Sequence, residues 1–351
     1  MLNTATKLLN FLPPEFAHSF TINALKYFNL KNSNFDDPIL SQHLFGLDFP
    51  NPIGLAAGFD KNAEIIKSMF SIGFGFVEVG TVTPLPQKGN PKPRVFRLKE
   101  DNAIINSLGF NNKGSKKIKK NIIKFQKSLK ESRLIGVNIG KNKSSINAID
   151  DYLFCMDELG SIASYITINI SSPNTEGLRD LQLRGNIEEL IKKINKKRES
   201  FDIINKKPIL IKISPDLNDD QLRDIALISL ANNVDGLIVA NSTIDRQISI
   251  KSQNKNKIGG LSGKPLFNKS NIILKKMYTF TNGQIPIIGV GGISTGSECY
   301  EKIKSGASLT QLYTALIYSG PLLISQIKKE LVDLIKTDGY KNISAVIGKS
   351  I

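Results

Sequence analysis

A chain of 351 residues, 40% hydrophobic and 22% charged, has ordinary globular composition and can bury one large core or two modest ones. Two cysteines, Cys155 and Cys299, stand far apart with no C-x-x-C partner, and two histidines, His18 and His43, sit in no ligand-like spacing; this argues against a disulfide scaffold, a zinc or cluster site and any protein-bound metal, and leaves redox chemistry to an organic cofactor in a reducing compartment. The formal charge of +16 rests on scattered lysine runs with few interleaved aromatics, which fits nucleic-acid binding poorly.

The first 40 residues read as two short helices. "TKLLNFL" is followed by Pro13 and Pro14, which end one helix and open the next, "EFAHSFTINALKYF". In the second, Phe16, Phe20, Ala24 and Phe28 recur every four residues, and Ala17, Ile22 and Leu25 widen the apolar surface. Such a helix either packs on a core or opens onto lipid or a lipophilic ligand. From residue 52 one pattern repeats: a short run rich in isoleucine and valine, a polar or glycine-bearing turn, then a segment with helical charge spacing. The runs are "NPIGLAA" (51–57), "GFVEVGT" (75–81), "LIGVNI" (134–139), "YITINI" (165–170), "PILIKI" (208–213), "DGLIVA" (235–240), "IPIIGV" (285–290) and "SLTQLY" (308–313). Continuous apolar strands alternating with helices indicate a parallel sheet covered by helices. Eight units, with no G-x-G-x-x-G after the first strand, favour an α/β fold of the closed (β/α)8 or TIM-barrel type over an open doubly wound sheet.

Between the second and third runs, "PRVFRLKEDNAIINSLGF" (93–110) predicts a hairpin inserted above the barrel. The basic runs at 115–124 and 192–200 read as solvated helix faces or as a surface drawn to an anionic membrane. No stretch reaches the roughly 18 or more consecutive apolar residues of a spanning helix. No charged region leads into a long apolar core and cleavage site, so secretion is not indicated. The chain is expected to divide into an N-terminal extension (1–40), a catalytic barrel (41–340) and a tail (341–351).

Active sites of such barrels lie at the C-terminal ends of the strands. There the sequence places Asp60, Lys61 and Asn62 after the first strand, Thr81 after the second, Asn138 after the third and "NISSPNT" (169–175) after the fourth. Lys212 lies in the fifth strand, Asn241 and Ser242 come after the sixth, "GVGGIS" continues the seventh, and Tyr313 and Thr314 end the eighth. Glycine-rich backbone at 289–292 suits a phosphate, and "GGLSG" (259–263) could close the same pocket. A lysine near a flavin's pyrimidine edge would stabilise the negative charge of reduction. The amides offer paired donors and acceptors for a flat, carbonyl-rich ring.

Together, "LAAGFDKN", "EVGTVTP", "PRVFRL", "NSLGFNN", "GVNIGKN", "NISSPNT", "IKISPDL", "GGLSGKPL", "IIGVGGI" and "GASLTQLY" resemble the motif set of the dihydroorotate dehydrogenases, specifically the membrane-associated, quinone-using class. The resemblance runs from about residue 8 to about 336. It implies an FMN-containing barrel that oxidises dihydroorotate to orotate in pyrimidine synthesis. In the soluble class the base at the second serine of "NISSPNT" is a cysteine; here it is Ser172. By resemblance, Ser172 takes a proton from C5 of the substrate while a hydride passes from C6 to the flavin, and Thr175 belongs to the proton relay. The family pattern further places Lys61, Asn106, Ser107, Leu108, Gly109, Phe110, Asn169, Asn174, Asn241 and Ser242 around the pyrimidine. It places Ala57, Gly58, Phe59, Asp60, Lys61, Thr81, Asn138, Asn169, Lys212, Ala240, Gly263, Gly292, Tyr313 and Thr314 around FMN. Ala240 stands where a hydroxyl residue is common, and Thr314 where serine is usual. The N-terminal helices would form a hydrophobic tunnel in which His18 and Arg97 meet the quinone head. The resemblance also implies peripheral attachment to the cytoplasmic side of the inner membrane. A monomer is expected, because the helices would compete with the dimer contacts of soluble relatives.

Overall fold

The computed structural model describes residues 9, 11–27, 36–129, 131–202, 206–246 and 249–351. Helix α1 (Pro14–Tyr27) opens on Pro14 as expected, since a first-turn proline gives up no helical hydrogen bond. Most of the preceding helix expected at "TKLLNFL", and Phe28, lie outside the described residues. Within the four-residue stripe of α1, Phe16 and Phe20 are 59% and 55% exposed and Phe20 and Ala24 border a cavity, whereas Ala17 and Ile22 are buried. The side chains expected only to widen the stripe therefore make the packing contact.

Strands β1 (Gln42–Leu44) and β2 (Leu47–Phe49) form an antiparallel hairpin with Leu44 opposite Leu47. Phe45 and Gly46 both have positive φ, the requirement of a tight two-residue turn. The eight expected barrel strands come next as β3 (Ile53–Leu55), β4 (Phe76–Val82), β7 (Ile135–Ile139), β8 (Tyr165–Asn169), β9 (Ile209–Ile213), β10 (Gly236–Val239), β12 (Ile287–Val290) and β13 (Leu309–Leu312). Each pairs in parallel with the next and β13 closes on β3, making the expected (β/α)8 barrel. The inserted hairpin is β5 (Val95–Leu98) with β6 (Ala103–Asn106). It gains a third strand that the sequence pattern did not reveal, β11 (Gly260–Gly263), paired with β6.

Strand alternation sorts the core into two layers. Inward residues Phe76, Tyr165, Leu210, Ile238, Ile288 and Leu309 fill the lower barrel, and Phe49 of the hairpin seals it from below. The Phe49 and Phe76 rings meet edge to face at 5.2 Å. Outward residues such as Val77, Val79, Ile166, Ile168, Ile211 and Val239 form the larger core under the helices. Helices α2 (Ile66–Ser71), α3 (Ser115–Lys127), α4 (Ala148–Leu159), α5 (Arg184–Glu199) and α6 (Asp219–Ala231) cover one part of the sheet. Helices α7 (Phe267–Phe280), α8 (Gly296–Lys304), α9 (Thr314–Ser319) and α10 (Leu323–Thr337) cover the rest. In α3 the buried Ile118, Ile122 and Phe125 recur at helical spacing, so its lysines are turned to solvent as solvated-face residues. Burial of each such side chain stabilises the fold by about 1.5–3 kcal/mol. The C-terminal Ile343 and Val346 join the same core.

Above the apolar plug the barrel axis turns polar. Glu78 of β4 is wholly buried. Its Oε1 accepts from Asn138 Nδ2 at 2.8 Å, and its Oε2 accepts from Tyr165 Oη (3.1 Å), Thr167 Oγ1 (3.2 Å) and Gln311 Nε2 (2.8 Å). Replacing Glu78 by leucine strands these donors in a dry interior. Glu78→Leu is expected to lower unfolding free energy by at least about 3 kcal/mol, read from the urea midpoint at unchanged slope.

Candidate active site

The C-terminal strand ends, the β5–β6–β11 sheet and α1 enclose one cavity of about 800 Å³. That is near the upper end of the ~300–1,000 Å³ usual for small-molecule sites. All but four of the residues given a catalytic or binding role by the family pattern line it. The four exceptions stand behind the wall. Asp60 turns its carboxylate inward to accept the amides of Glu64 (2.8 Å) and Ile65 (2.9 Å), so it braces the loop after β3, and burial pushes its pKa up to about 6. Asn138 lies between the cavity wall and Glu78, Ser107 offers its backbone to neighbouring loops, and Thr175 is buried within the loop that carries Ser172.

A chain of oriented amides and hydroxyls runs up from the barrel axis. With its Nδ2 given to Glu78, Asn138 presents Oδ1 to Thr81 Oγ1 (2.6 Å) and Asn169 Nδ2 (3.0 Å). Asn169 then presents Oδ1 to Ser171 Oγ at 2.9 Å, and Ser171 Oγ accepts Asn241 Nδ2 at 2.9 Å. Asn241 Oδ1 accepts the amide of Ser242 at 2.8 Å. Every donor end is thus fixed by the link below it. On the adjoining loop Ser172 is 6% exposed. Its Oγ accepts the Asn174 amide at 3.3 Å, and Asn174 Nδ2 reaches Asn106 Oδ1 at 3.3 Å. The Thr175 hydroxyl is buried with no hydrogen-bond partner among the described residues.

Two lysines supply the positive charge. Burial pushes Lys61 down to about 8; the Glu15 carboxylate of α1 and Asp60 oppose that shift, and Arg94 adds to it. Burial also lowers Lys212, against the pull of Glu78 beneath it. On the α1 side, burial with Lys61 nearby pushes His18 down to about 3, so its ring is neutral at physiological pH. His18 meets Phe59 edge to face at 5.5 Å, and Phe59 meets Tyr313 at 5.4 Å, an aromatic wall from α1 to the end of β13. Arg97 donates to the carbonyls of Leu12 (2.5 Å) and Leu9 (3.4 Å) at the approach to α1.

Gly263, Gly291 and Gly292 also line the cavity at positive φ and offer bare backbone to an anion. A Cβ on Gly292 would lie 2.5–2.7 Å from Phe267, so only glycine fits there. Thr314 Oγ1 donates to Ser262 Oγ at 3.0 Å, and the "GGLSG" stretch does border the pocket.

Sequence pattern passed over three residues that the structure joins to the site: Glu15, which lines the cavity, and Asn90 and Arg94, which hold its loops. The available signal was Arg94 itself, a charge entering an apolar strand that needs a buried partner.

The family model for dihydroorotate dehydrogenase matches residues 39–335. A Parvibaculum lavamentivorans protein described as dihydroorotate dehydrogenase (quinone) is 46% identical over 348 residues, covering 99% of this chain and 98% of that protein. The mitochondrial dihydroorotate dehydrogenase (quinone) of Mus musculus is 42% identical, covering 97% of this chain and 88% of its own. Among solved structures, DHODH from Eimeria tenella in complex with ferulenol superposes with a TM-score of 0.92 at 42% identity, over 96% of this chain and 95% of that one. A barrel with this motif order, matched along nearly its whole length, belongs to the dihydroorotate dehydrogenase family.

Proposed function

We propose that this chain oxidises (S)-dihydroorotate to orotate in pyrimidine synthesis, with FMN as resident cofactor and a membrane quinone as electron acceptor. The observation that carries the reading is the convergence, on one cavity, of the Ser172 loop, the amide chain with Lys212 beside Asn169, the buried Lys61, His18 of α1 and Arg97. The residues present fit FMN. Bare glycine backbone at 263 and 291–292 suits its phosphate, and Lys212 with the amides suits a carbonyl-rich ring. Thr81, Asn169, Lys212, Ala240, Tyr313 and Thr314 would line its bed, with Asp60 and Asn138 acting from behind. When bound, FMN supplies the hydride acceptor for the substrate and the electrons for the quinone.

This chain's own groups do the rest. Lys61 draws the substrate carboxylate, and Asn106, Asn174, Asn241 and Ser242 orient the ring between fixed donors and acceptors. Leu108, Gly109 and Phe110 close over it. Ser172 Oγ takes the C5 proton and, as a weak base near neutral pH, must pass its own hydroxyl proton on; the buried Thr175 hydroxyl of the same loop, which has no hydrogen-bond partner among the described residues, would relay it through water to solvent. At the other side, neutral His18 and the Arg97 guanidinium can hydrogen-bond the carbonyls of a quinone.

No helix among the described residues is long and apolar enough to cross a membrane. The exposed Phe16 and Phe20 and the net charge of +16 support peripheral attachment to an anionic leaflet, on the cytoplasmic side of the inner membrane, with residues 1–40 as the attaching extension. We read the chain as a monomer.

Ser172→Ala is expected to keep its flavin and to lose roughly 100-fold or more in the rate of flavin bleaching by dihydroorotate in anaerobic stopped flow. In the unsubstituted protein, bleached flavin should recover its colour rapidly with a soluble quinone and not with fumarate; recovery with fumarate would place the chain in the soluble class. The Lys61 cation is present below about pH 8 and lost above it. KM for dihydroorotate should accordingly rise as pH increases through 8, and a KM flat from pH 7 to 9.5 would remove Lys61 as the carboxylate's partner.

A further inference from the structure

Glu15 stands in the first turn of α1, the helix assigned above to the quinone side, yet its hydrogen bonds lead to the substrate side. Its Oε1 accepts from Arg94 Nε (3.1 Å) and Nη2 (2.9 Å). Arg94 is only 5% exposed, and its Nη1 donates to the carbonyls of Lys88 (2.7 Å), Asn90 (2.7 Å) and Leu108 (3.4 Å). Leu108 is the middle of the 106–110 loop. Asn90, gripped through its carbonyl, donates Nδ2 to Ser107 O at 3.0 Å and to Asn174 O at 3.0 Å. One buried guanidinium therefore ties α1 to the loop that closes over the pyrimidine and, one step further, to the loop that carries Ser172.

The carboxylate is the member that makes this junction possible. A buried guanidinium is held where its charge is paired and its donors are satisfied; removing the partner leaves an uncompensated cation that will seek water. The exposed Lys92, 3.9 Å from Glu15 Oε2, cannot replace that pairing, because it is itself a cation. Glu15 also lines the cavity within electrostatic reach of Lys61.

We infer that Glu15 is a positioning residue for dihydroorotate: through Arg94 and Asn90 it sets the 106–110 and 172–175 loops, so α1 couples the quinone end of the cavity to the substrate end. The inference rests on the functional reading above. It carries an electrostatic consequence as well. Lys61 faces Glu15 and His18 from α1, Arg94 from the approach to β5, and Asp60 on its own loop. Removing the Glu15 charge deletes a contribution that keeps Lys61 protonated, so Lys61 should lose its proton at lower pH.

The test uses flavin-loaded protein. Orotate affinity is read from the shift of the flavin absorbance, and KM for dihydroorotate is tracked from pH 6.5 to 9.5. Glu15→Gln, which preserves shape and deletes charge, should retain flavin, weaken orotate about tenfold, equivalent to about 1.4 kcal/mol, and move the rise in KM to lower pH. Arg94→Gln should weaken orotate by a similar factor, and the double variant no more than the worse single one, since both act through one contact. A purely structural role would not move the alkaline limb. Unchanged orotate affinity with an unmoved limb in Glu15→Gln, even with an altered KM for quinone, would overturn the inference. If unsubstituted protein carries flavin that dihydroorotate fails to bleach, the functional reading itself fails instead.

Discussion

Glu78 lies on the axis of a barrel whose lower half is entirely apolar, and the groups that donate to it come from β7, β8 and β13. A carboxylate so placed is tolerable only when its oxygens are satisfied, and satisfying them fixes the neighbours' orientations. An amide side chain has one donating end and one accepting end. Once Asn138 gives its nitrogen to Glu78, its oxygen must face Thr81 and Asn169; once Asn169 gives its nitrogen there, its own oxygen must face Ser171. The pattern of donors and acceptors at the mouth is thus dictated from below, by a charge that never meets solvent.

The barrel was legible because each strand is a short β-branched run buried on both faces, and all eight runs fall within two residues of the observed strands. The site was legible for a related reason: in a closed parallel barrel, the residues at the C-terminal end of every strand must arrive at one rim. Sequence order gives arrival at the rim but not direction. Asp60 and Asn138 reach it and turn away, Asp60 toward two free amides of its own loop and Asn138 toward Glu78. Glu78 itself could have been read from "GFVEVGT", since a charge in a two-faced buried strand needs partners from its neighbours.

Other features were hidden because they depend on contacts distant in sequence. Strand β11 joins β6 across more than half the barrel, and Glu15 meets Arg94 across 79 residues. The face that α1 buries was hidden for another reason: both Phe16–Phe20 and Ala17–Ile22 make acceptable apolar faces, and spacing cannot choose between them. The body buries Ala17 and Ile22, and Phe16 and Phe20 stay more than half exposed, Phe20 bordering the cavity. That choice gives the helix its two roles, an apolar face to the surroundings and a carboxylate to the interior.

Charge along the cavity obeys the same division. Lys212 pairs with Asn169 of the amide chain, while Lys61 lies within electrostatic reach of α1, whose His18 is kept neutral by burial and by Lys61 itself. Under the function proposed above, the Lys61 cation would draw the anionic substrate and the uncharged His18 ring would meet the uncharged quinone. The aromatic wall of His18, Phe59 and Tyr313 runs from α1 to the end of β13 without adding a formal charge. Lys61 helps to keep His18 uncharged, and Glu15 of α1 opposes the loss of the Lys61 proton.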